Sequence, residues 1–323
     1  MFLCQADADL PSWDFGHMSA GHGPFDHVKD SSVFELPQFV SSIFGSSQFP
    51  LPKIGSFQIT KFMVLQVVAA VFTIIVFRGL AKRIAGGSPA RGRWWNFWEA
   101  IALFVRDEVV RPSIGIPHHH DHGDHGHGEH VVSSEHGHHA GASVSVGHPA
   151  DRYLPYVWTV FFYILFCNLL GAIPFLGSPT ADTGITAVLA GMTFLHVVRY
   201  GSERSGFVGF WKSLVPGMDL PGPLGLILVP MIWVIEAAGL LIKHMVLAIR
   251  LFANLMAGHT VLSVFLGFIA LAANEGAVWW VVMPSSTFAQ LAIGLLELFV
   301  AFLQAYVFSL MTSLFISAAV NPH

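Results

Sequence analysis

An apolar run of about 50 residues, from Leu224 to Ala273, constrains this chain more than any other feature. Built as one helix, it would be roughly 75 Å long, more than twice the ~30 Å of bilayer hydrocarbon. Pro230 can kink its start, but no cluster of Gly, Pro and Asn near Arg250 offers an ordinary loop. We therefore predict a strongly tilted helix over 224–273 whose polar groups face protein or water.

A second long apolar helix is predicted over 285–318, after the sequence NEGAVWWVVMPSS, so the two helices would form a hairpin within the membrane. Of the 323 residues 54% are hydrophobic and 11% charged, against roughly 25% charged in ordinary soluble domains. This composition indicates an all-α integral membrane protein. Cys4 and Cys167 fit neither a disulfide framework nor a zinc or redox motif.

Three further spans are predicted, over residues 57–83, 154–175 and 184–202. Five basic residues follow the first span at once, and the positive-inside rule puts that end in the cytoplasm and the acidic, irregular tail 1–56 outside. The loop LGSPTADTG contains no Lys or Arg and belongs outside, whereas the third span ends in basic residues. The basic residues after the first span are Arg78, Lys82, Arg83, Arg91 and Arg93.

Residues 91–112 are predicted to form an amphipathic helix on the cytoplasmic surface of the membrane. Its aromatic and aliphatic residues recur at helical spacing opposite polar ones, and Pro112 is expected to close it. A soluble amphipathic helix packed on a partner is the alternative. The apolar face comprises Trp94, Phe97, Trp98, Ile101, Phe104 and Val105, and the polar face Asn96, Glu99, Arg106 and Asp107.

Residues 113–151 contain 11 of the 18 histidines among Gly, Asp, Glu and Ser. With so few apolar residues this cytoplasmic loop is expected to be disordered. The sequence predicts no firm metal site here, but opportunistic binding of Zn, Ni or Cu is expected, with metal capture as the functional alternative. The histidines at its start are His118, His119, His120 and His122.

Arg250 stands out in the apolar run because a guanidinium at the bilayer centre is unfavourable by roughly 2.5 to 3.5 kcal/mol, so it usually marks a pathway or a counter-ion. Glu236, Lys243 and Arg250 are spaced by seven residues, which keeps them on one helix face, and Asn254 lies one turn further. His259 points about half a turn away from Arg250.

The second long helix shows the same seven-residue step in Gln290, Glu297 and Gln304. Its segment LELFVAFLQAYVFSLMTSLF and the segment IRLFANLMAGH around Arg250 resemble the two signature helices of subunit a of the F-type rotary ATP synthase. The segment FCNLLGAIP at 166–174 is similar to a third motif of that family. The resemblance covers residues from about 57 to 320, and residues 152–323 would form the channel domain.

The resemblance implies a role for each matching residue. Arg250 would face the rotating ring of c subunits, with Asn254 and Gln304 near that site. His259 and Glu297 would be the interacting polar pair of the outer half-channel, in the arrangement of mitochondrial members and exchanged relative to many bacterial ones. Further positions that match or could line the channels are Glu236, Asn168, Lys243 and Gln290, whereas Gly171 stands where some members have Asp and is given no role.

The expected function is therefore that of the non-catalytic stator channel subunit of a proton-translocating ATP synthase. The implied partners are the c-subunit ring, b-type peripheral stalk subunits, the rest of the synthase and the lipid bilayer. No cofactor, nucleic acid or directly bound nucleotide is expected, because no phosphate loop or hydrolytic constellation is apparent. A bacterial cytoplasmic membrane is the expected location, with the mitochondrial inner membrane as the alternative.

Two other classes of function were weighed against this one. A divalent-metal transporter is suggested by the His-rich loop, but such a protein needs several ligands converging within its membrane helices. Here Arg250 lies among sparse acids and would repel a metal ion. A purely structural membrane scaffold does not explain an arginine within apolar helix.

Overall fold

The computed structural model of the protein describes residues 33–35, 48–54, 57–84, 92–114, 149–173, 177–215, 223–273 and 276–321. In the N-terminal tail, for which an irregular structure was predicted, two short antiparallel ladders are described. β1 (Val33–Glu35) pairs with β2 (Gln48–Pro50), and β3 (Lys53–Ile54) pairs with β4 (Phe57–Gln58).

Helices make up the rest of the described chain, apart from the turns and short segments that join them. Four helical segments are long and apolar enough to cross a membrane: Lys61–Ile84, Leu154–Gly171, Leu228–Ala272 and Trp279–Val320. The prediction of an all-α integral membrane protein is confirmed. The helices are α1 (Lys61–Ile84), α2 (Arg93–Phe104), α3 (Leu154–Gly171), α4 (Thr183–Ser205), α5 (Phe207–Ser213), α6 (Pro223–Ala272) and α7 (Trp279–Val320).

The span predicted over residues 184–202 corresponds to α4, a helix of 23 residues. α4 is not among the four segments that are long and apolar enough to cross a membrane. Its last two turns carry Arg199, Glu203 and Arg204, which lower its hydropathy. At about 1.5 Å per residue it is still long enough to cross the hydrocarbon. Its crossing of the membrane stays a prediction.

α3 is the central helix of the bundle. Within its membrane window 61% of the residues are buried, compared with 28% for α1, 11% for α6 and 28% for α7. It packs against α1 on one side and α7 on another, and α7 in turn contacts α4 and α6. Its phenylalanines Phe161 and Phe162 are fully buried, and Phe162 meets Phe77 of α1 edge to face at 5.2 Å. This aromatic core positions the two long helices.

The amphipathic helix α2 divides its apolar face between the protein and the outside. Trp98 is buried and its ring lies 5.4 Å from that of Phe166, while Trp94 and Phe97 are more than half exposed. Trp158 of α3 donates its indole N–H to the Ala102 carbonyl at 2.9 Å. A helix fixed to the bundle on one side and aromatic on the other is suited to the membrane surface.

α2 continues beyond the predicted end at Pro112. Its chain widens into a π-helical stretch, Val105–Val110, and closes with the turn Arg111–Ile114. Pro112 is the second residue of that turn, a position at which proline is tolerated because an N–H at a helix start has no partner to lose. The helix therefore ends two residues later than proline alone would predict.

A cluster of ion pairs joins the end of α2 to the start of α3. Arg111 reaches Asp107 at 3.3 Å and Asp151, in the short helical turn Pro149–Arg152, at 3.2 Å. Arg106 donates two hydrogen bonds to Asp107, and this hydrogen bonding holds the pKa of Asp107 below its usual value. The cluster brings together the two ends of the chain that flank residues 115–148, which lie outside the described residues.

α4 and α5 meet at a corner that requires small residues. α4 is capped by Asp182, whose side chain accepts hydrogen bonds from the Gly184 and Ile185 amides, and is followed by Gly206, which has φ of 76°. Gly201 faces this corner. A Cβ there would lie 2.4 Å from the Phe210 ring and 3.2 Å from the Ala319 carbonyl oxygen of α7. Glycine thus allows α4, α5 and α7 to approach closely.

We expect Gly201→Ala to destabilise the fold, because neither the Phe210 ring nor the α7 backbone can withdraw cheaply. Overpacking of this kind is typically unfavourable by about 1–3 kcal/mol. Thermal unfolding in detergent would measure it. Gly191→Ala is the matched control, since a Cβ at Gly191 meets nothing within 4 Å. Equal melting temperatures for the two variants would contradict the close approach.

Candidate functional site

The two long helices, α6 and α7, pack against each other along the predicted hairpin and carry most of the polar residues that the sequence singles out. α6 has 50 residues and includes Pro230, and α7 has 42 residues and begins at Trp279, six residues before the predicted start. Helices of these lengths are about 75 and 63 Å long and cannot stand upright in ~30 Å of hydrocarbon. Their tilt stays a prediction.

Four predicted site residues meet at one cavity. A cavity of about 320 Å³ between α6, α7 and α3 is lined by Asn168, Asn254, Glu297 and Gln304 among mainly apolar side chains. Across it, the Asn254 amide donates to the Gln304 carbonyl oxygen at 2.7 Å. Gln304 is 2% exposed, so its carbonyl oxygen would lack a hydrogen-bond partner without this bond. The cavity is therefore a polar pocket within an apolar bundle.

Glu297 is buried on the wall of this cavity, at 7% exposure. Its carboxylate lies against the backbone of α6 at Gly258, where an added Cβ would be 2.9 Å from Oε1 and 3.1 Å from Cδ. Oε1 is buried without a hydrogen-bond partner among the described residues. A buried carboxyl oxygen without a partner is unfavourable unless a proton or a polar ligand reaches it. Gly258 thus makes room for the Glu297 carboxyl group.

Asn168 is fixed by hydrogen bonds on both ends of its amide. Its N–H₂ group donates to the Ala301 carbonyl of α7 at 3.3 Å, and its oxygen accepts from the Thr180 hydroxyl at 2.9 Å. Thr180 in turn shares a hydrogen bond of 2.8 Å with the Ser178 hydroxyl. Asn168, Ser178 and Thr180 are each 1% exposed or less. Ser178 and Thr180, which follow α3, therefore fold inward and hold Asn168, which lines the cavity.

Arg250 lies one helical turn before Asn254 on α6 and is half-buried. No ion pair joins it to a carboxylate anywhere in the part of the chain that the structure describes, including Glu236 and Glu297. The alternative that Arg250 is a counter-ion to an acid of this chain therefore has no support in this structure.

His259 follows Gly258 on α6, and its Nε2 atom is buried with no hydrogen bond to any described residue. The structure shows no direct bond between His259 and Glu297. Lys61, the first residue of α1, lies close enough to His259 for an electrostatic interaction and is itself only 3% exposed. A basic side chain of α1 therefore influences His259 electrostatically.

The remaining predicted polar residues are arranged differently. Glu236 and Lys243 are exposed on α6, whereas Gln290 of α7 is half-buried with Nε2 lacking a described partner. His244, beside Lys243, is 2% exposed, donates from Nδ1 to the Leu240 carbonyl at 2.8 Å and touches the Phe315 ring. None of these residues lines the cavity.

The metal-binding alternative gains no support from the described residues. Within the described ranges, no group of three or more His, Cys, Asp or Glu is arranged to hold a metal ion. His118, His119, His120 and His122 lie outside the described residues. Cys167 is buried and unpaired.

Four residues in and around the site were missed by sequence reasoning. Gly258 was part of the IRLFANLMAGH segment, but its contact with Glu297 depends on how α6 and α7 are aligned. Ser178 and Thr180 were assigned only to an outside loop, and nothing in that loop signals that it turns inward. Lys61 was missed because it precedes the apolar run, where a lysine ordinarily extends to the interface.

We expect Thr180→Val to destabilise the protein, because valine keeps the shape but leaves the buried Asn168 oxygen without its donor. The loss should be about 1–3 kcal/mol, measured by chemical or thermal unfolding in detergent. Thr159→Val is the control, since the exposed Thr159 hydroxyl donates only to Pro155 of its own helix. A Thr180 variant as stable as the Thr159 variant would contradict the buried network.

Comparisons with known proteins show the family to which the chain belongs. The sequence profile of the family described as ATP synthase A chain matches residues 139–317, more than half of the chain. ATP synthase subunit a of Anaeromyxobacter sp. (strain Fw109-5) is 33% identical over 267 residues, which cover 82% of this chain and 55% of that relative. ATP synthase subunit a of Chloroherpeton thalassium is 30% identical over 303 residues, covering 91% of this chain and 75% of that relative.

A third relative, ATP synthase subunit a of Anaeromyxobacter dehalogenans (strain 2CP-1), is 37% identical over 231 residues, or 71% of this chain and 50% of its own length. The chain thus spans about half the length of some curated relatives and three quarters of others. The matched region includes α6, most of α7, the Arg250 turn and the polar cavity. The chain belongs to the ATP synthase subunit a family.

Proposed function

We propose that this chain is the stator subunit of a proton-translocating ATP synthase and forms two half-channels that serve a ring of c subunits. The observation that carries the proposal is Arg250. It is a half-buried guanidinium in the middle of an apolar helix, one turn from a polar cavity, and it has no carboxylate partner among the described residues. Its partner would be a carboxyl group on the ring.

Charge alone explains what Arg250 would do. A guanidinium stays protonated at any physiological pH, so it stabilises the ionised form of a ring carboxyl that arrives opposite it and drives the proton off. Because it never gives up its own proton, it also blocks direct transfer between the two half-channels. A lysine would be a poorer substitute, since burial can neutralise it and the planar fork is lost.

The cavity supports an assignment of one half-channel. Glu297 offers a buried carboxyl oxygen without a described partner, and Asn254 and Gln304 extend the polar lining toward the Arg250 turn. Protons would pass between His259 and Glu297 through intervening water, because the two side chains form no direct bond. Glu236 and Lys243, which are exposed on the Arg250 face, would belong to the route on the other side.

The outer surfaces of the two long helices support a ring-facing role. Ile249 beside Arg250, and Leu295 and Phe299 on α7, are each more than half exposed. Exposed apolar faces of this extent mark lipid or partner contacts. The c-subunit ring would lie against this face, and b-type stalk subunits would hold the chain against the rest of the synthase.

In this proposal the chain performs no chemistry on nucleotides, and other subunits of the complex make ATP. It would lie in a bacterial cytoplasmic membrane, with the N-terminal tail outside and the His-rich segment inside. No observation on the described residues favours the divalent-metal transporter.

Arg250→Ala tests the central assignment. In membrane vesicles the complex should still assemble, but ATP-driven proton pumping and ATP synthesis should both fall to background, because the ring carboxyl would keep its proton. Assembly is checked by the amount of complex recovered from the membranes. Coupled activity near wild type in an assembled complex would overturn the assignment.

Gly258→Ala tests the placement of Glu297. The added methyl carbon would lie 2.9 Å from Oε1 and 3.1 Å from Cδ and push the carboxyl group from its position, so proton translocation should slow by about tenfold, as expected when a reacting group is displaced by a fraction of an ångström. Gly267→Ala on the same helix is the control, because its Cβ would meet nothing within 4 Å. Equal pumping rates in the two variants would contradict a role for the Gly258 contact.

A further inference from the structure

Two arginines share one carboxylate where α3 begins and α4 ends. Arg152 donates to Oε2 of Glu203 at 2.8 Å, and Arg199 donates to Oε1 of the same carboxylate at 3.0 Å. Glu203 neutralises only one of the two positive charges. Because each guanidinium has five N–H donors and uses one on Glu203, most of the donors stay available on a surface that carries a net positive charge.

Both arginine side chains point outward. Their side chains are 67% and 69% exposed, whereas that of Glu203 is 34% exposed. The shared carboxylate therefore holds the two guanidinium groups near each other without covering them. Paired, planar donors of this kind match the oxygens of a phosphate group.

Tyrosines flank this arginine pair at the end of the predicted α4 span. Tyr153 and Tyr200 pack edge to face at 4.9 Å directly beside Arg152 and Arg199 in sequence, and Tyr156 lies one turn further into α3. Tyrosine is enriched where one end of the ring is in hydrocarbon and its hydroxyl is in the polar interface. This is also the end of α4 at which the basic residues predict the cytoplasmic side.

A strip of exposed apolar side chains runs from the arginine pair along α4. Val188, Met192 and Leu195 are 67%, 50% and 62% exposed, and with Arg199 they follow helical spacing on one face. From Val188 to Arg199 the helix rises about 16 Å, close to half of the ~30 Å hydrocarbon thickness. The strip thus has the length of one acyl chain of one leaflet.

From these features we infer that Arg152 and Arg199, bridged by Glu203, form a binding site for the phosphate of an anionic phospholipid whose acyl chain lies along Val188, Met192 and Leu195. The site is separate from the cavity at Glu297 and does not rest on the proposed proton pathway. Its occupant is a lipid and not a free phosphate ion, because the arginines cap an apolar strip. The bound lipid would fasten α4 to one leaflet.

The test uses the whole complex in nanodiscs containing phosphatidylglycerol with a photoactivatable acyl chain, followed by mass spectrometry of the labelled peptides. Labelling should concentrate on residues 188–199. A matched probe with a phosphatidylcholine headgroup should label this peptide about fivefold less, since Glu203 leaves one net positive charge and each such charge near the surface contributes about a factor of five for an anionic lipid. Equal labelling by the two probes would overturn the inference without any substitution.

The double variant Arg152→Gln/Arg199→Gln should lose most of the phosphatidylglycerol labelling, while proton pumping is measured in parallel as a separate readout. Lys82→Gln/Arg93→Gln is the control, because it removes the same charge from exposed positions on α1 and α2 and should leave labelling unchanged. Equal losses in both double variants would show only a general surface attraction. Loss of labelling in the wild-type complex on adding inorganic phosphate would show a free-anion site; either outcome overturns the lipid site.

Discussion

The solvation of Arg250 is the requirement on which the rest of this structure depends. A guanidinium on a helix surrounded by hydrocarbon is tolerated only where protein groups or water replace its hydration. The chain meets this requirement by placing Arg250 next to a polar cavity and leaving its face half-buried. The polar surface of a helix this long needs shielding along its length, and α7, which is of similar length, packs beside α6.

The helices of the bundle are buried to very different extents, as the need to shield Arg250 on one side of the bundle would require. α3, with most of its membrane window buried, forms the fixed part of the bundle, whereas α6, with 11% of its window buried, presents its surface outward. On the fixed side, the Asn168 amide and the Thr180 hydroxyl are hydrogen-bonded to described partners. His259 of α6 and Glu297 of α7 keep buried atoms without a described partner. In the proposed function, these unsatisfied atoms would be the ones that exchange protons.

The sequence predicted the parts of this structure that depend on local pattern. Apolar runs located the membrane helices, and seven-residue spacing put Glu297 and Gln304 on one face of α7. The partners of these residues could not be predicted, because the Asn254 to Gln304 bond and the contact of Gly258 with Glu297 depend on the alignment of two helices. Pro112 was expected to end α2, but the π-helical stretch before it allowed one more turn.

The proposed function also places a mechanical load on the contacts between the buried core around α3 and the two long helices. One proton crossing about 100 mV delivers roughly 2.3 kcal/mol, whereas a typical hydrogen bond contributes only about 0.5–1.5 kcal/mol net. The single bond from Asn254 to Gln304 is therefore too weak to keep α6 and α7 in place while a ring is driven past them. The packing of α7 on the buried aromatic face of α3 contributes more free energy than this hydrogen bond, since burying one phenylalanine contributes about 1.5–3 kcal/mol. The apolar core, and not the polar site, must hold the stator against the force that the site generates.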